Sequence, residues 1–99
     1  MVKHIVLLKM KPDISLVKTE EMYKNILQLK NLIPGIVSIS GGKNNSPEHK
    51  DKDYTEGFEV EFVDKNTRDI YLNHQEHKEA AETYILPIID DVIVFDFEC

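Results

Sequence analysis

The chain has no tryptophan and only one cysteine, Cys99, at its last position. One thiol cannot close an intramolecular disulfide, so the fold must stand on packing alone, and a reducing, cytoplasmic setting is expected. Positive charge is scarce: twelve Lys and Arg stand against eighteen Asp and Glu, for a net charge of −6. The basic residues are also scattered, which excludes the phosphate-tracking surface of a nucleic-acid binder. No apolar run approaches the roughly 20 residues of a membrane span. The first ten residues read as a strand rather than as a signal peptide, and neither membrane nor export is expected.

What is present, in 99 residues, is enough for one small domain over residues 1–99, whose limited core would gain from oligomerisation. Val2 to Met10 is rich in Val, Ile and Leu and reads as a strand, ended by Pro12-Asp13. Ser15 is a helix N-cap, and Met22, Ile26, Leu29 and Ile33 recur at helical spacing until Pro34-Gly35 stops the run near Leu32. Ile36 to Ser40 is a second strand, which Gly41-Gly42 continues or bends. Lys43 to Asp53, with Asn44-Asn45 and Pro47, is a polar loop that is long for a hairpin. Tyr54 to Val63 alternates as a third strand. Asp64 to about Ile85 reads as one second helix, with Ile70, His74, His77, Ala81 and Tyr84 as its inward stripe and Pro87 beyond its end; Val92 to Phe97 is the last strand.

The resulting β-α-β-β-α-β order, with right-handed crossovers, predicts an α+β, ferredoxin-like sandwich whose antiparallel sheet runs 4-1-3-2 with both helices on one face. His4, Val6, Leu8, Phe58, Val60 and Phe62 then face the helices. Ile5 and Leu7 face the open side, where Lys3 and Lys9 meet Glu59 and Glu61 across the sheet. Two exposed edge strands and a bare sheet face need covering. The expected partner is a second copy of the chain, forming a dimeric α+β barrel.

Chemistry-bearing residues are few. Tyr71, His74 and His77 follow one another at i, i+3 and i+6. An unperturbed imidazole titrates near neutrality, so His77 suits proton abstraction, and a neighbouring phenol suits hydrogen bonding to a developing enolate oxygen. Spacing i, i+3 for the two histidines is not the usual i, i+4 of helical metal ligands, and a third ligand is wanting, so no metal site is expected. Glu56 shares a strand face with Phe58 and other apolar residues, and burial there would raise its pKa.

Several segments carry a family resemblance: the opening Val2-Lys3-His4-Ile5-Val6-Leu7-Leu8-Lys9, Ile33-Pro34-Gly35, the strand from Tyr54-Thr55 to Val60-Glu61-Phe62, Tyr71-x-x-His74-x-x-His77, and Val94-Phe95-Asp96-Phe97. In this order they resemble the stress-responsive dimeric α/β-barrel (Dabb) family over essentially the whole chain. A polyketide cyclase of that family closes a ring by intramolecular aldol condensation in a pocket between sheet and helices. The resemblance implies that His77 matches its general base, Tyr71 the tyrosine that assists, and His4 a pocket histidine. The chain departs from that cyclase at Glu56, where the cyclase has a histidine. It departs from the family at Gln75-Glu76, where a proline is common.

The expectation is therefore a homodimer with a pocket for a small carbonyl compound and proton-transfer chemistry without a cofactor. His77 and Tyr71 would be catalytic, with His4, Glu56, His74 and Phe58 binding substrate. The alternative is a non-enzymatic protective protein in which the same residues are structural and the interior is filled by Phe58, Phe62 and Tyr84.

Overall fold

The computed structural model describes residues 1–99, in the order β1 (Val2–Met10), α1 (Leu16–Leu32), β2 (Ile36–Lys43), β3 (Tyr54–Phe62), α2 (Lys65–Asn73), α3 (Gln75–Ala80) and β4 (Ile89–Glu98). The sheet order is β2-β3-β1-β4 with every pairing antiparallel, which is the predicted 4-1-3-2 read from the other edge. This is the expected ferredoxin-like α+β fold. No helix is long and apolar enough to cross a membrane.

Alternation decides which side of the sheet is covered. Val2, His4, Val6 and Leu8 of β1 are buried under the helices, as are Phe58, Val60 and Phe62 of β3. Met22, Ile26, Leu29 and Ile33 complete the layer from the α1 side, and the Ser15 hydroxyl accepts the Lys18 amide at the helix start, as the sequence predicts. On the open face Lys3 pairs with both Glu59 (3.4 Å) and Glu61 (3.7 Å). Lys9 joins neither carboxylate: β1 and β3 shift register between Leu8 and Lys9, which sets Lys9 opposite Tyr54.

The helix layer leaves β4 largely bare. Val92 and Val94 on the helix side, and Ile93, Phe95 and Phe97 on the other, are all exposed, with Phe95 at 62%. At the far end of this strand the chain termini meet: the Met1 amine donates to the Cys99 carbonyl (3.1 Å), and the Cys99 amide donates to the Met1 carbonyl (2.9 Å).

The single helix expected over residues 64–85 is broken. α2 ends at Asn73; His74 is extended (φ −76°, ψ 138°) and caps both helices; α3 then runs into a π turn at Ala81–Ile85 and a 3₁₀ turn at Leu86–Ile88. The expected stripe fails in its first half for this reason. Ile70 is 49% exposed, and Tyr71 takes the inward position instead. Downstream, where the helical phase is reset, Ala80 is buried and His77, Ala81 and Tyr84 are half-buried. β4 begins at Ile89 rather than Val92, and β2 continues through both glycines to Lys43.

Gly35 ties the α1–β2 turn to the start of α2. Its φ of +90° lies in the region that L side chains avoid, and an added Cβ would fall 2.6 Å from Thr67 Cγ2, itself part of the Asp64–Thr67 capping box. Gly35→Ala is expected to lower stability by about 1–3 kcal/mol in urea unfolding. Gly42→Ala, where a Cβ meets nothing within 4 Å, should change it by no more than about 0.5 kcal/mol.

Candidate functional site

β1 delivers His4 to the covered face, where it is 4% exposed. The β1–β4 register sets Asp96 directly across from it, and His4 Nδ1 lies 2.7 Å from Asp96 Oδ1. The other carboxylate oxygen of Asp96 accepts from Arg68 Nη1 of α2 at 2.9 Å. A histidine, a carboxylate and a guanidinium from three elements thus form one chain of hydrogen bonds.

Tyr71, on the same helix as Arg68 and three residues later, is 1% exposed. Its ring lies edge-on to Phe62 (centroids 5.0 Å apart) and to His4 (5.9 Å), and is tilted against the ring of His77 at 4.3 Å. Tyr71 and His77 do not share a face of one helix. On an uninterrupted α-helix, residues six apart differ by about 9 Å in rise and about 120° in direction, too far for their rings to touch. The break at His74 creates the contact. The His74 ring makes that break stable by accepting the Glu76 amide on Nδ1 (3.1 Å), the N-cap role usually taken by Asn, Asp or Ser. This occupies one of the two ring nitrogens of His74, the residue that the sequence offered to a substrate. No group of three His, Cys, Asp or Glu side chains converges as metal ligands would.

His77 Nδ1 is the one fully buried side-chain polar atom without a hydrogen-bond partner. Burial pushes the His77 pKa below its ordinary 6.5; the Leu72 carbonyl works against this, and charge on His4, His74 or Lys78 adds to it. The ring is therefore neutral at pH 7. Burial pushes the Tyr71 hydroxyl well up, so it stays protonated, and no protein group bonds it. A neutral imidazole and an intact phenol, both with unused hydrogen-bonding capacity, stand side by side.

Glu56 lies apart from them. Its carboxylate accepts the Tyr23 hydroxyl of α1 (2.9 Å), and that oxygen in turn accepts the Gly57 amide (3.2 Å). Burial and the Glu56 carboxylate both push the Tyr23 hydroxyl well up. Glu56 faces Leu8, whereas His4 faces Val60, and four residues of strand separate these positions by about 13 Å. Phe58 is buried between the two groups. Two of the surface concavities bear on these residues. One, of about 490 Å³, lies on the open sheet face under the β2–β3 loop and reaches Glu56, but not His4, Tyr71 or His77. The other, of about 210 Å³, lies between α1 and α3 and is lined by Glu76, Glu79 and Ala80 but not by His77.

Three partners escaped the reading of the sequence: Asp96, Arg68 and Tyr23. Asp96 carried a signal, a lone carboxylate between Phe95 and Phe97, whose partner follows once β4 is paired with β1. Arg68 stands three residues before Tyr71, on the same helix face. Tyr23 follows Met22 of the apolar stripe and carries no signal of its own.

A family model described as the stress responsive A/B barrel domain matches residues 2–99. The chain belongs to this family. It is 30% identical over 96 residues to olivetolic acid cyclase of Cannabis sativa, covering 97% of this chain and 94% of that protein. Among solved structures, a crystal structure of an Arabidopsis thaliana protein superposes with a TM-score of 0.93 at 34% identity, covering 100% of this chain and 95% of that one. A dimeric ferredoxin-like protein of Jannaschia sp. gives a TM-score of 0.85 at 25% identity, with 99% and 98% covered. This A/B barrel chain therefore shares family and fold with a cyclase over its full length, while its Tyr23–Glu56 pair is a feature read from its own residues.

The depressed His77 pKa has a sign that can be checked. Below pH 6.5 the unfolded chain protonates His77 while the folded chain does not, so the unfolded state binds more protons and stability falls as pH drops from 6.5 towards the lower folded value. His77→Gln is expected to remove this part of the acid sensitivity. Thermal midpoints of the two proteins compared from pH 7.5 to 5 should converge as pH falls; parallel curves would mean that His77 is not desolvated.

Proposed function

We propose that this A/B barrel chain acts as a homodimer that binds a small carbonyl compound between its helices and sheet and moves a proton next to the carbonyl without a cofactor. The observation that carries the reading is the unpartnered, buried Nδ1 of His77 against the ring of Tyr71. An orphaned buried nitrogen costs free energy and calls for an explanation, and a ligand is one. His77, neutral at pH 7, takes the proton; the Tyr71 hydroxyl donates to the oxygen on which negative charge builds. His4 and Phe62 wall the space around Tyr71. Phe58 is buried beyond them, and Glu56, engaged by the Tyr23 hydroxyl, lies outside this space. The full-length relationship to olivetolic acid cyclase supports this class of chemistry.

The groove between α1 and α3 is the route in, and α3, six residues between a break and a π turn, is the element that yields. One observation favours the second reading, a protective protein without catalysis: Phe58 and Phe62 are buried in the layer, as that alternative requires, although Tyr84, its third member, is only half-buried. Deuterium incorporation into acetylacetone or a simple β-keto ester, followed by proton NMR, separates the two. Wild type should exceed buffer, His77→Ala should lose at least about 100-fold, and Tyr71→Phe should lose less. Exchange by wild type no faster than buffer would sink the catalytic reading.

The homodimer rests on β4. Five apolar residues between Val92 and Phe97, interrupted only by Asp96, are exposed along a sheet edge, and such an edge pairs or aggregates. Packing two open faces together, with β4 of one copy beside β2 of the other, covers it. In sedimentation velocity the protein is expected at twice the mass of its 11.5 kDa chain, and Phe95→Asp is expected to sediment as a monomer.

A further inference from the structure

We propose that Asp96, backed by Arg68, is a positioning residue that fixes His4 as its Nδ1–H tautomer and so offers His4 Nε2 to the Tyr71–His77 site as a second acid–base group; the acid–base part rests on the proton-transfer reading above, the tautomer part does not. A carboxylate oxygen only accepts, so the 2.7 Å contact between Asp96 Oδ1 and His4 Nδ1 places the ring proton on Nδ1. Asp96 Oδ2 is already taken by Arg68 Nη1 at 2.9 Å, so both oxygens accept and neither has to carry a proton. Nε2 lies on the far side of the ring from Asp96 and makes no protein hydrogen bond. The ring that carries it is edge-on to Tyr71 and Phe62, at 5.9 and 6.3 Å.

Packing alone does not call for this arrangement. The neighbours of His4 on the same face of β1 are Val2, Val6 and Leu8, each buried and apolar, and a further aliphatic residue would fill the position without desolvating a charged pair. Asp96 is likewise the only polar residue between Val92 and Phe97. Two imidazoles then flank one phenol, and their surroundings differ. His77 Nδ1 is unpartnered and its ring is held neutral by burial, whereas His4 Nδ1 is bonded to a carboxylate and only its Nε2 is left open. Such a contrast divides the roles of base and acid between two groups of one kind.

The test uses full-length protein labelled with ¹⁵N at histidine, at pH 8, with long-range ¹H–¹⁵N spectra reporting the tautomer of each ring. Wild-type His4 is expected as Nδ1–H. Asp96→Asn keeps the shape but can turn its amide N–H towards Nδ1, and should move His4 towards Nε2–H. In the same variant the acetylacetone exchange rate at saturation is expected to fall at least 10-fold with little change in KM; Arg68→Gln, which leaves the carboxylate, should fall less. A wild-type Nε2–H signal overturns the assignment, as does an Asp96→Asn variant that switches tautomer with its rate unchanged. Wild type without any exchange removes the proton-transfer reading and the acid–base role of His4, while the spectra still judge Asp96 as the group that sets the tautomer. Should Asp96→Asn fail to fold, Asp96→Glu and Arg68→Gln carry the same two readouts.

Discussion

The arrangement of the candidate site depends on one interaction, the hydrogen bond from the Glu76 amide to the ring of His74. It lets the chain leave one helix and start another within a single extended residue. Without it, α2 and α3 would fuse, Tyr71 and His77 would point about 120° apart, and the inward stripe would run through Ile70 instead of Tyr71. This chain has Gln75 as the first residue of α3 and keeps the break with a side-chain cap alone.

Much of the fold was legible because it rests on local signals that agree with one another. The bounds of β1 follow from its apolar run and Pro12; the start of α1 follows from Ser15; the inward faces of β1 and β3 follow from alternation. What escaped was set by pairing between distant segments or by competition within one helix. Asp96 acquires meaning only when β4 lies against β1 in register, and Glu56 meets Tyr23 only when α1 is laid on the sheet. The break at His74 was hidden because histidine is a rare cap and the flanking residues are ordinary helix formers; Tyr71, His74 and His77 looked like three steps of one helix. The sequence therefore named Tyr71 and His77, while their contact came from a backbone feature that periodicity cannot show.

The polar residues of the covered layer are arranged by satisfaction. At one end Tyr23, Glu56 and the Gly57 amide complete one another; at the other, His4, Asp96 and Arg68 do. Beside the second group lie Tyr71 and His77, where the Tyr71 hydroxyl and His77 Nδ1 have no protein partner. In a layer packed with Phe58, Val60 and Phe62, that contrast is the chemical peculiarity of the molecule. The same layer stops short of β4, so the strand that supplies Asp96 is also the one with least cover. Assembly at that edge and the orientation of His4 are linked through a single strand.

The meeting of Met1 and Cys99 gives the chain a particular mechanical character. β1 and β4 are antiparallel neighbours whose free ends lie together, with Val2 opposite Glu98. A pull on the two ends would load their ladder one rung at a time, as a zipper opens, and not all rungs at once in shear. The rung at His4 and Asp96 is among the first to be reached. Under tension, the part of the sheet that holds the His4 ring would yield while α1, β2 and β3 remained packed.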